Sequence, residues 1–357
     1  MKPNKKILII AGGTGGHIYP GIAIADYLKA KGYSITWLGT SHGMENKLID
    51  KKPYQKAMID IKGVRGKGLL NWLKLPFMLL IALIQCAKVI EKEKPDVVIA
   101  MGGYVSFPGG LMSRLMGKKL IVHEQNSIPG LTNRLLAIIA TKIYSAFPIK
   151  LMRASQKIGN PVRDNIRQIK PPAQRFKNRK GPLRLLVVGG SLGAKFFNDT
   201  IPLSVKQISP KNRPAIIHQS GEKHFEELKA SYKESGIKAD CRAYLDHIEK
   251  LYEWADLVIA RAGALTVSEF SAAGIPSILV PFPFAVDNHQ FYNAKYLSDK
   301  KAARLIIQEE LTTESLRSIL RSMTRNECLK MAKAALENKA TKPEEVIYKA
   351  CERLINK

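Results

Sequence analysis

His17 follows a run of bare glycines, Gly12-Gly13-Thr14-Gly15-Gly16, and a second such run, Gly189-Gly190-Ser191-Leu192-Gly193-Ala194, recurs in the other half of the chain. Glycines leave backbone N–H groups uncovered, and at the start of a helix those amides, backed by the helix dipole, can receive an anion. The pair therefore predicts two phosphate-type crevices or one split site. Taken alone, each run would serve equally well as a tight βα turn with no ligand; two in register argue for two doubly wound domains. From Gly13 the first run reads G-T-G-G-H-I, without the third glycine of G-x-G-x-x-G, and neither run carries the Gly-Lys-Ser/Thr of a P-loop. A dinucleotide dehydrogenase and a P-loop kinase are disfavoured on that ground.

Further candidates stand at the ends of apolar runs, where open α/β folds hold ligands. Met101-Gly102-Gly103-Tyr104 and Pro108-Gly109-Gly110 follow residues 97–100, His123-Glu124-Gln125-Asn126 follows 120–122, and Gly159-Asn160-Pro161-Val162-Arg163 closes the first half. In the second half, Arg261-Ala262-Gly263-Ala264-Leu265-Thr266-Val267-Ser268-Glu269 leaves a strand and opens a helix; Asp287-Asn288-His289-Gln290 follows another. Free N–H groups at Gly263 to Leu265 suit a diphosphate, and Glu269, more than a turn on, suits ribose hydroxyls. The alternative gives Thr266 and Ser268 ordinary first-turn roles and leaves Glu269 to the macrodipole. Gln290, a typical partner of sugar hydroxyls, tilts the reading toward a ligand. His42, His218, His224 and His247 have no comparable context.

The elements that must position these residues alternate. Residues 7–11, 34–38, 97–100, 120–123, 183–188, 215–218, 257–260 and 277–280 read as strands between helical stretches, the mark of βαβ units and a buried parallel sheet. Residues 164–182, with Pro171-Pro172, Asn178 and a cluster of Arg and Lys, read as a linker. The expected division is a domain over 1–163, a second over 164–340, and a last helix over 341–357 that either stays on the second domain or crosses back to the first. Pro343 breaks the apolar period of the tail into two helices.

The chain has 357 residues, 45% of them hydrophobic, enough for two domains each with its own core. Its four cysteines are scattered with no C-x-x-C spacing, which argues against a disulfide framework or zinc knuckle and suits a reducing compartment. Only five apolar residues precede the first glycine run, too few for a signal-peptide core. The formal charge of +27 implies attraction to a polyanion, an anionic membrane or phosphorylated substrates. The most apolar stretch is 69–87, and its uncharged part after Lys74, the thirteen residues Leu75 to Ala87, falls short of the ~20 a membrane span needs. Two readings of it stay open. It is a core helix, or an interfacial patch in which Trp72, Leu73, Leu75, Phe77, Leu79 and Leu80 sit beside Lys62, Arg65, Lys67 and Lys74.

Taken together, the series A-G-G-T-G-G-H, M-G-G-Y-V-S-x-P-G-G, H-E-Q-N, G-N-P-V-R, G-G-S-x-G-A and R-x-G-A-L-T-V-S-E closely resembles that of the MurG enzymes, over nearly the whole chain. The resemblance implies a GT-B glycosyltransferase: two Rossmann-like doubly wound domains facing a central cleft, acceptor on the first and donor on the second. It further implies UDP-GlcNAc as donor and undecaprenyl-pyrophosphoryl-MurNAc-pentapeptide, lipid I, as acceptor. The product would be lipid II, formed with inversion, without metal or cofactor, by a peripheral protein on the cytoplasmic face of the bacterial plasma membrane. Carried onto this sequence, Thr14, Gly15 and Gly16 would line the cleft near the donor sugar and Asn126 would touch its hydroxyls. Arg163 and Ser191 would contact UDP, Leu245 would lie near uracil, Ala264, Leu265, Thr266, Val267, Ser268 and Glu269 would hold diphosphate and ribose, and Gln290 would bind GlcNAc. His289 and Leu192 stand where family members carry glutamine, which puts one sugar contact in question.

His17 is the candidate general base, because an imidazole with pKa near ~6.5 can take the proton of an attacking alcohol at neutral pH. The alternative has it capping the first helix or binding acceptor pyrophosphate as a cation. Two other classes are weighed: another membrane-associated GT-B lipid glycosyltransferase, acting on diacylglycerol, and a nucleic-acid binder. Against the latter, the basic residues are spread over predicted surface helices with no RRM-like or helix-turn-helix pattern.

Overall fold

The computed structural model describes residues 5–61, 68–190 and 193–356, with 68–74 as helix backbone. The chain divides into two compact units, residues 1–161 with 341–357, and residues 162–340.

Among the described residues of the first unit, seven parallel strands form one sheet: β1 (Lys6–Ala11), β2 (Ser34–Thr40), β3 (Gln55–Ile59), β4 (Val97–Gly102), β5 (Lys119–Glu124), β6 (Lys142–Ser145) and β7 (Gln156–Lys157), in the order β3-β2-β1-β4-β5-β6-β7. The connections hold helices α1 (Gly15–Ala30), α2 (Glu45–Ile49), α3 (Gly68–Glu93), α4 (Ser106–Leu115) and α5 (Leu131–Ile139). Ile7, Leu8, Ile9 and Ile10 of β1 are all buried, as a central strand covered on both faces requires. Ile7 and Ile9 join one core with Ile24 and Leu28 of α1; Leu8 and Ile10 join the opposite core with Ala82, Cys86 and Ile90 of α3.

The second unit repeats the plan with β8 (Arg184–Val188), β9 (Ala215–Gln219), β10 (Ala239–Arg242), β11 (Leu257–Ala260), β12 (Ser277–Leu279) and β13 (Ala303–Leu305), in the order β10-β9-β8-β11-β12-β13. Its helices are α6 (Asp164–Arg167), α7 (Pro172–Arg175), α8 (Lys195–Lys206), α9 (Phe225–Glu234), α10 (Ile248–Trp254), α11 (Ala264–Ala273), α12 (His289–Ser298), α13 (Thr313–Ser322) and α14 (Arg325–Glu337). The expected linker is largely ordered: Arg175 is buried and donates to the Ala273 carbonyl at 2.9 Å, and Arg179 reaches the fully buried Asp256 at 2.5 Å. The last helix, α15 (Pro343–Ile355), returns to the first unit, where Ile347, Ala350 and Cys351 enter the core beside α1 and Lys5 pairs with Glu352 at 2.6 Å.

In each sheet the strand order reverses direction at one point, between β1 and β4 and between β8 and β11. At such a switch point the connections leave to opposite faces and open a crevice at the carboxyl ends of the strands. Both glycine runs follow one of these four strands.

Candidate functional site

At the first switch point the loop after β1 meets the loop after β4. Gly103 (φ +83°) passes so close to Gly12 that a side chain there would overlap the Gly12 carbonyl. Gly102 (φ +107°) lies under the His17 ring, where a Cβ would come within 2.9 Å of the imidazole. Both positions need the left-handed backbone and bare Cα that glycine allows. Thr14 is the extended N-cap of α1, and its carbonyl accepts from the N–H groups of His17 and Ile18 at 3.1 and 3.2 Å. Its hydroxyl stands 3.2 Å from His17 Nδ1. His17 is half-buried, while Thr14 and Gly16 are exposed.

Beneath this loop, β5 ends in a buried polar network. The Glu124 carboxylate accepts from the Asn126 N–H at 2.8 Å, Asn133 Nδ2 at 2.8 Å and the Gly130 N–H at 3.1 Å. Burial pushes its pKa up; the donors pull it back only in part. His123 donates from Nε2 to the Gly159 carbonyl at 2.9 Å, and Gln125 Nε2 lies 3.1 Å from Nδ1. Burial holds this imidazole's pKa down at about 4, so it is neutral and structural. The network presents Asn126, half-buried, at the rim.

At the second switch point, α11 starts at Ala264 with Gly263 as an extended N-cap that gives no side-chain bond to the first turn. The open amides there are the donors an anion needs. One turn on, Ser268 returns its hydroxyl to the Ala264 carbonyl at 2.8 Å. Glu269 accepts from Arg163 Nη2 at 2.8 Å and from the Tyr252 hydroxyl at 3.2 Å. Its side chain is 14% exposed, and burial raises its pKa against the pull of Arg163. Arg163 belongs to this second unit, the division falling between Pro161 and Val162. Gln290 accepts the Phe282 N–H at 3.0 Å, so its NH2 end is the group left to offer a ligand. Leu245 is buried on the loop after β10.

The structure thus gathers Thr14, Gly15, Gly16, His17 and Asn126 at the first switch point, and Arg163 with Ala264, Leu265, Thr266, Val267, Ser268 and Glu269 at the second. Ser191 and Leu192 lie outside the described residues. Two participants escaped the sequence reading. Tyr252 carries no motif signal, and Arg261 was seen only as the head of a motif. The Arg261 guanidinium donates to the Pro281 carbonyl at 3.1 Å, bonds Gln308 Oε1 at 2.6 Å and stacks over Phe197, tying the strand end to its neighbours. Among the described residues, no group of three or more His, Cys, Asp or Glu is placed to hold a metal.

Comparison with known proteins matches both halves. The glycosyltransferase family 28 N-terminal domain covers residues 7–145, and the glycosyltransferase family 28 C-terminal domain covers 184–347. A UDP-N-acetylglucosamine--N-acetylmuramyl-(pentapeptide) pyrophosphoryl-undecaprenol N-acetylglucosamine transferase of Nitrosospira multiformis is 50% identical over 93% of each chain. One of the same name from Azoarcus sp. is 47% identical over 98% of each. The crystal structure of Acinetobacter baumannii MurG superposes with a TM-score of 0.88 at 34% identity, covering 98% of this chain and 99% of that one. The chain belongs to the MurG family. Its architecture is the GT-B pairing of two Rossmann-like domains, and its class is the glycosyltransferases. Within the MurG frame, each glycine run begins directly after the first strand of its domain.

Proposed function

We propose that this protein transfers GlcNAc from UDP-GlcNAc to the 4-hydroxyl of MurNAc in undecaprenyl-pyrophosphoryl-MurNAc-pentapeptide, forming lipid II by inverting displacement. The observation that carries the reading is the open amide turn at Gly263–Leu265 with Glu269 one turn behind it. Amides receive the diphosphate, and a carboxylate held between Arg163 and Tyr252 accepts from the ribose hydroxyls. Gln290 supplies a donor for the sugar, and Leu245 lies on the loop assigned to the uracil. On the first unit, His17 takes the proton of the attacking hydroxyl, its Nδ1 side occupied by Thr14 and its ring seated on Gly102. Asn126 binds sugar hydroxyls, its backbone fixed by Glu124. Charge on the leaving diphosphate is met by amides and basic side chains, a route that calls for no metal.

Binding at an anionic membrane surface, on the cytoplasmic face of the plasma membrane, belongs to the same reading. Among the described residues no helix is long and apolar enough to cross a membrane. Phe77, Leu80, Ile81 and Ile84 of α3, Leu115 of α4, and Leu131, Leu135 and Ile138 of α5 are all exposed, on three helices that cover one face of the sheet. Beside them a groove of about 580 Å³ is lined by Leu111, Arg114, Leu115, Lys119, Ile138 and Arg153, joining apolar and cationic surface. The opposite side of helix α3 is core, through Ala82, Cys86 and Ile90. Lys62, Arg65 and Lys67 lie outside the described residues, as do the side chains of Trp72, Leu73 and Lys74.

The relatives' shared name favours the pentapeptide-bearing acceptor over a diacylglycerol. The deciding experiment is a donor and acceptor screen. Thermal stabilisation by UDP-GlcNAc but not by UDP-glucose, ADP or NAD, with radiolabelled GlcNAc passing to lipid I, is the expected result. Sugar transfer to diacylglycerol and none to lipid I would overturn it.

A further inference from the structure

Glu45 is fully buried, 28 residues downstream of His17, yet it is bonded to the loop that carries His17. Its Oε1 accepts from the Thr40 N–H at 2.9 Å and the Thr40 hydroxyl at 2.8 Å; its Oε2 faces the Gly13 N–H at 3.4 Å. Space for the carboxylate is made by glycines on three sides. A Cβ on Gly43 would overlap it, a Cβ on Gly12 would stand 2.7 Å from Oε1, and a Cβ on Gly39 would stand 3.0 Å from Cγ. One of these glycines belongs to the candidate catalytic loop, and the others to β2 and the turn after it.

A buried carboxylate is retained only where its acceptor capacity is used. Here the two oxygens do different work, one fastened to the end of β2 and the other turned to the loop after β1. The next residue after Gly13 is Thr14, whose carbonyl starts α1 and whose hydroxyl meets His17 Nδ1. We propose that Glu45 is a positioning residue for the transfer reaction, a tether that fixes the Gly12–Thr14 turn against β2 and, through Thr14, sets the His17 imidazole. It rests on the reading of His17 as the base. Glu45 touches no reacting atom.

Glu45→Gln separates this role from simple filling of space. The amide keeps size and one oxygen, so the Thr40 bonds survive, while its NH2 would face the Gly13 N–H, donor against donor. Loop displacement of about 1 Å at a catalytic group costs on the order of 10²-fold in rate. In the full-length protein, E45Q is expected to lose about 10- to 100-fold in kcat while the KM for UDP-GlcNAc stays within about twofold. Amide hydrogen exchange should quicken from Gly13 to His17 and stay unchanged in α15 and the second unit. Thr40→Val, which removes one donor to the same carboxylate, should show the same pattern at smaller size and serves if E45Q does not fold. Wild-type kcat and exchange in a folded E45Q or T40V would overturn the proposal, as would loosened exchange spread across the whole first unit with a matching fall in thermal stability. If the wild-type protein transfers no GlcNAc, the functional reading fails, whereas the exchange contrast still tests the tether.

Discussion

Arg163 Nη2 and Glu269 Oε1 stand 2.8 Å apart although 106 residues separate them in the chain. The pair joins the residue just past the boundary between units to the second turn of α11. Arg163 is 59% exposed and Glu269 only 14%, so the cation faces solvent while the carboxylate is held from behind by Tyr252. Such a carboxylate is already oriented for the ribose contact proposed for it. Glu269→Gln replaces one acceptor oxygen by a donor, and the expected outcome in calorimetry is UDP affinity lower by about 10- to 100-fold, the size of one or two charged hydrogen bonds. Because burial raises the Glu269 pKa, protonation on acidification should weaken UDP binding in the wild type more than in the variant. Equal pH profiles for the two proteins would remove Glu269 from the nucleotide site.

His17 is tested by dissociating chemistry from donor binding. The residue lies in the first unit, and the donor contacts proposed here are mainly in the second. His17→Ala should therefore lower kcat by about 10²- to 10⁴-fold, the range for loss of a general base, with UDP binding to the free enzyme unchanged. Thr14→Val, which removes the partner of Nδ1, should give a smaller fall in kcat. Turnover near normal in His17→Ala at saturating substrates would return His17 to a capping or pyrophosphate-binding role.

How far this site could be read in advance follows from where its residues lie. The strands that frame the two switch points, β1, β4, β8 and β11, are short apolar runs, and the sequence marks all four. Those left unmarked are mostly edge or near-edge strands: β3, with Gln55 and Lys56 exposed; β7, of two exposed residues; β10, reading Ala-Asp-Cys-Arg; and β13. One-sided or brief burial leaves no apolar run to detect. β6 is interior, but its four residues Lys-Ile-Tyr-Ser are too few for a period. The glycine turns are legible because positive φ and close backbone approach, as at Gly102 and Gly103, leave a run of glycines in the sequence. Partners that arrive through tertiary packing, Tyr252 on Glu269 and Glu45 on Gly13, are not, since neither lies near its target in sequence.

The exposed apolar face of α3, α4 and α5 gives a prediction about membranes. Phe77 is 73% and Leu115 is 70% exposed, a cost in water unless the face is covered. Phe77→Asp with Ile81→Asp should reduce sedimentation with vesicles containing anionic phospholipid while leaving transfer to a short-chain, water-soluble acceptor within about twofold, because those side chains face away from the core. Unchanged vesicle binding in the double variant would discard this face as the docking surface.

Two buried imidazoles oppose stability on the acid side. Burial lowers the pKa of His123 to about 4 and that of His218 to about 3, one in each unit. His218 sits 2.9 Å from the Tyr232 hydroxyl, and His123 bonds the Gly159 carbonyl. With folded values below the unfolded value of ~6.5, each histidine is neutral in both states above that pH and contributes no pH dependence there. As pH falls from about 6.5 toward 4, the unfolded chain takes up protons that the folded chain refuses, so stability drops by about 1.4 kcal/mol per pH unit for each histidine. His218 should therefore cost the second unit stability between pH 6.5 and 4, and His218→Gln should remove that contribution, about one proton's worth, while lowering stability at pH 7.5 through the broken Tyr232 contact. Thermal unfolding of the two proteins at pH 7.5 and 5.5 measures the difference. An acid shift of the same size in both would mean that His218 is already charged in the native fold, contrary to its burial.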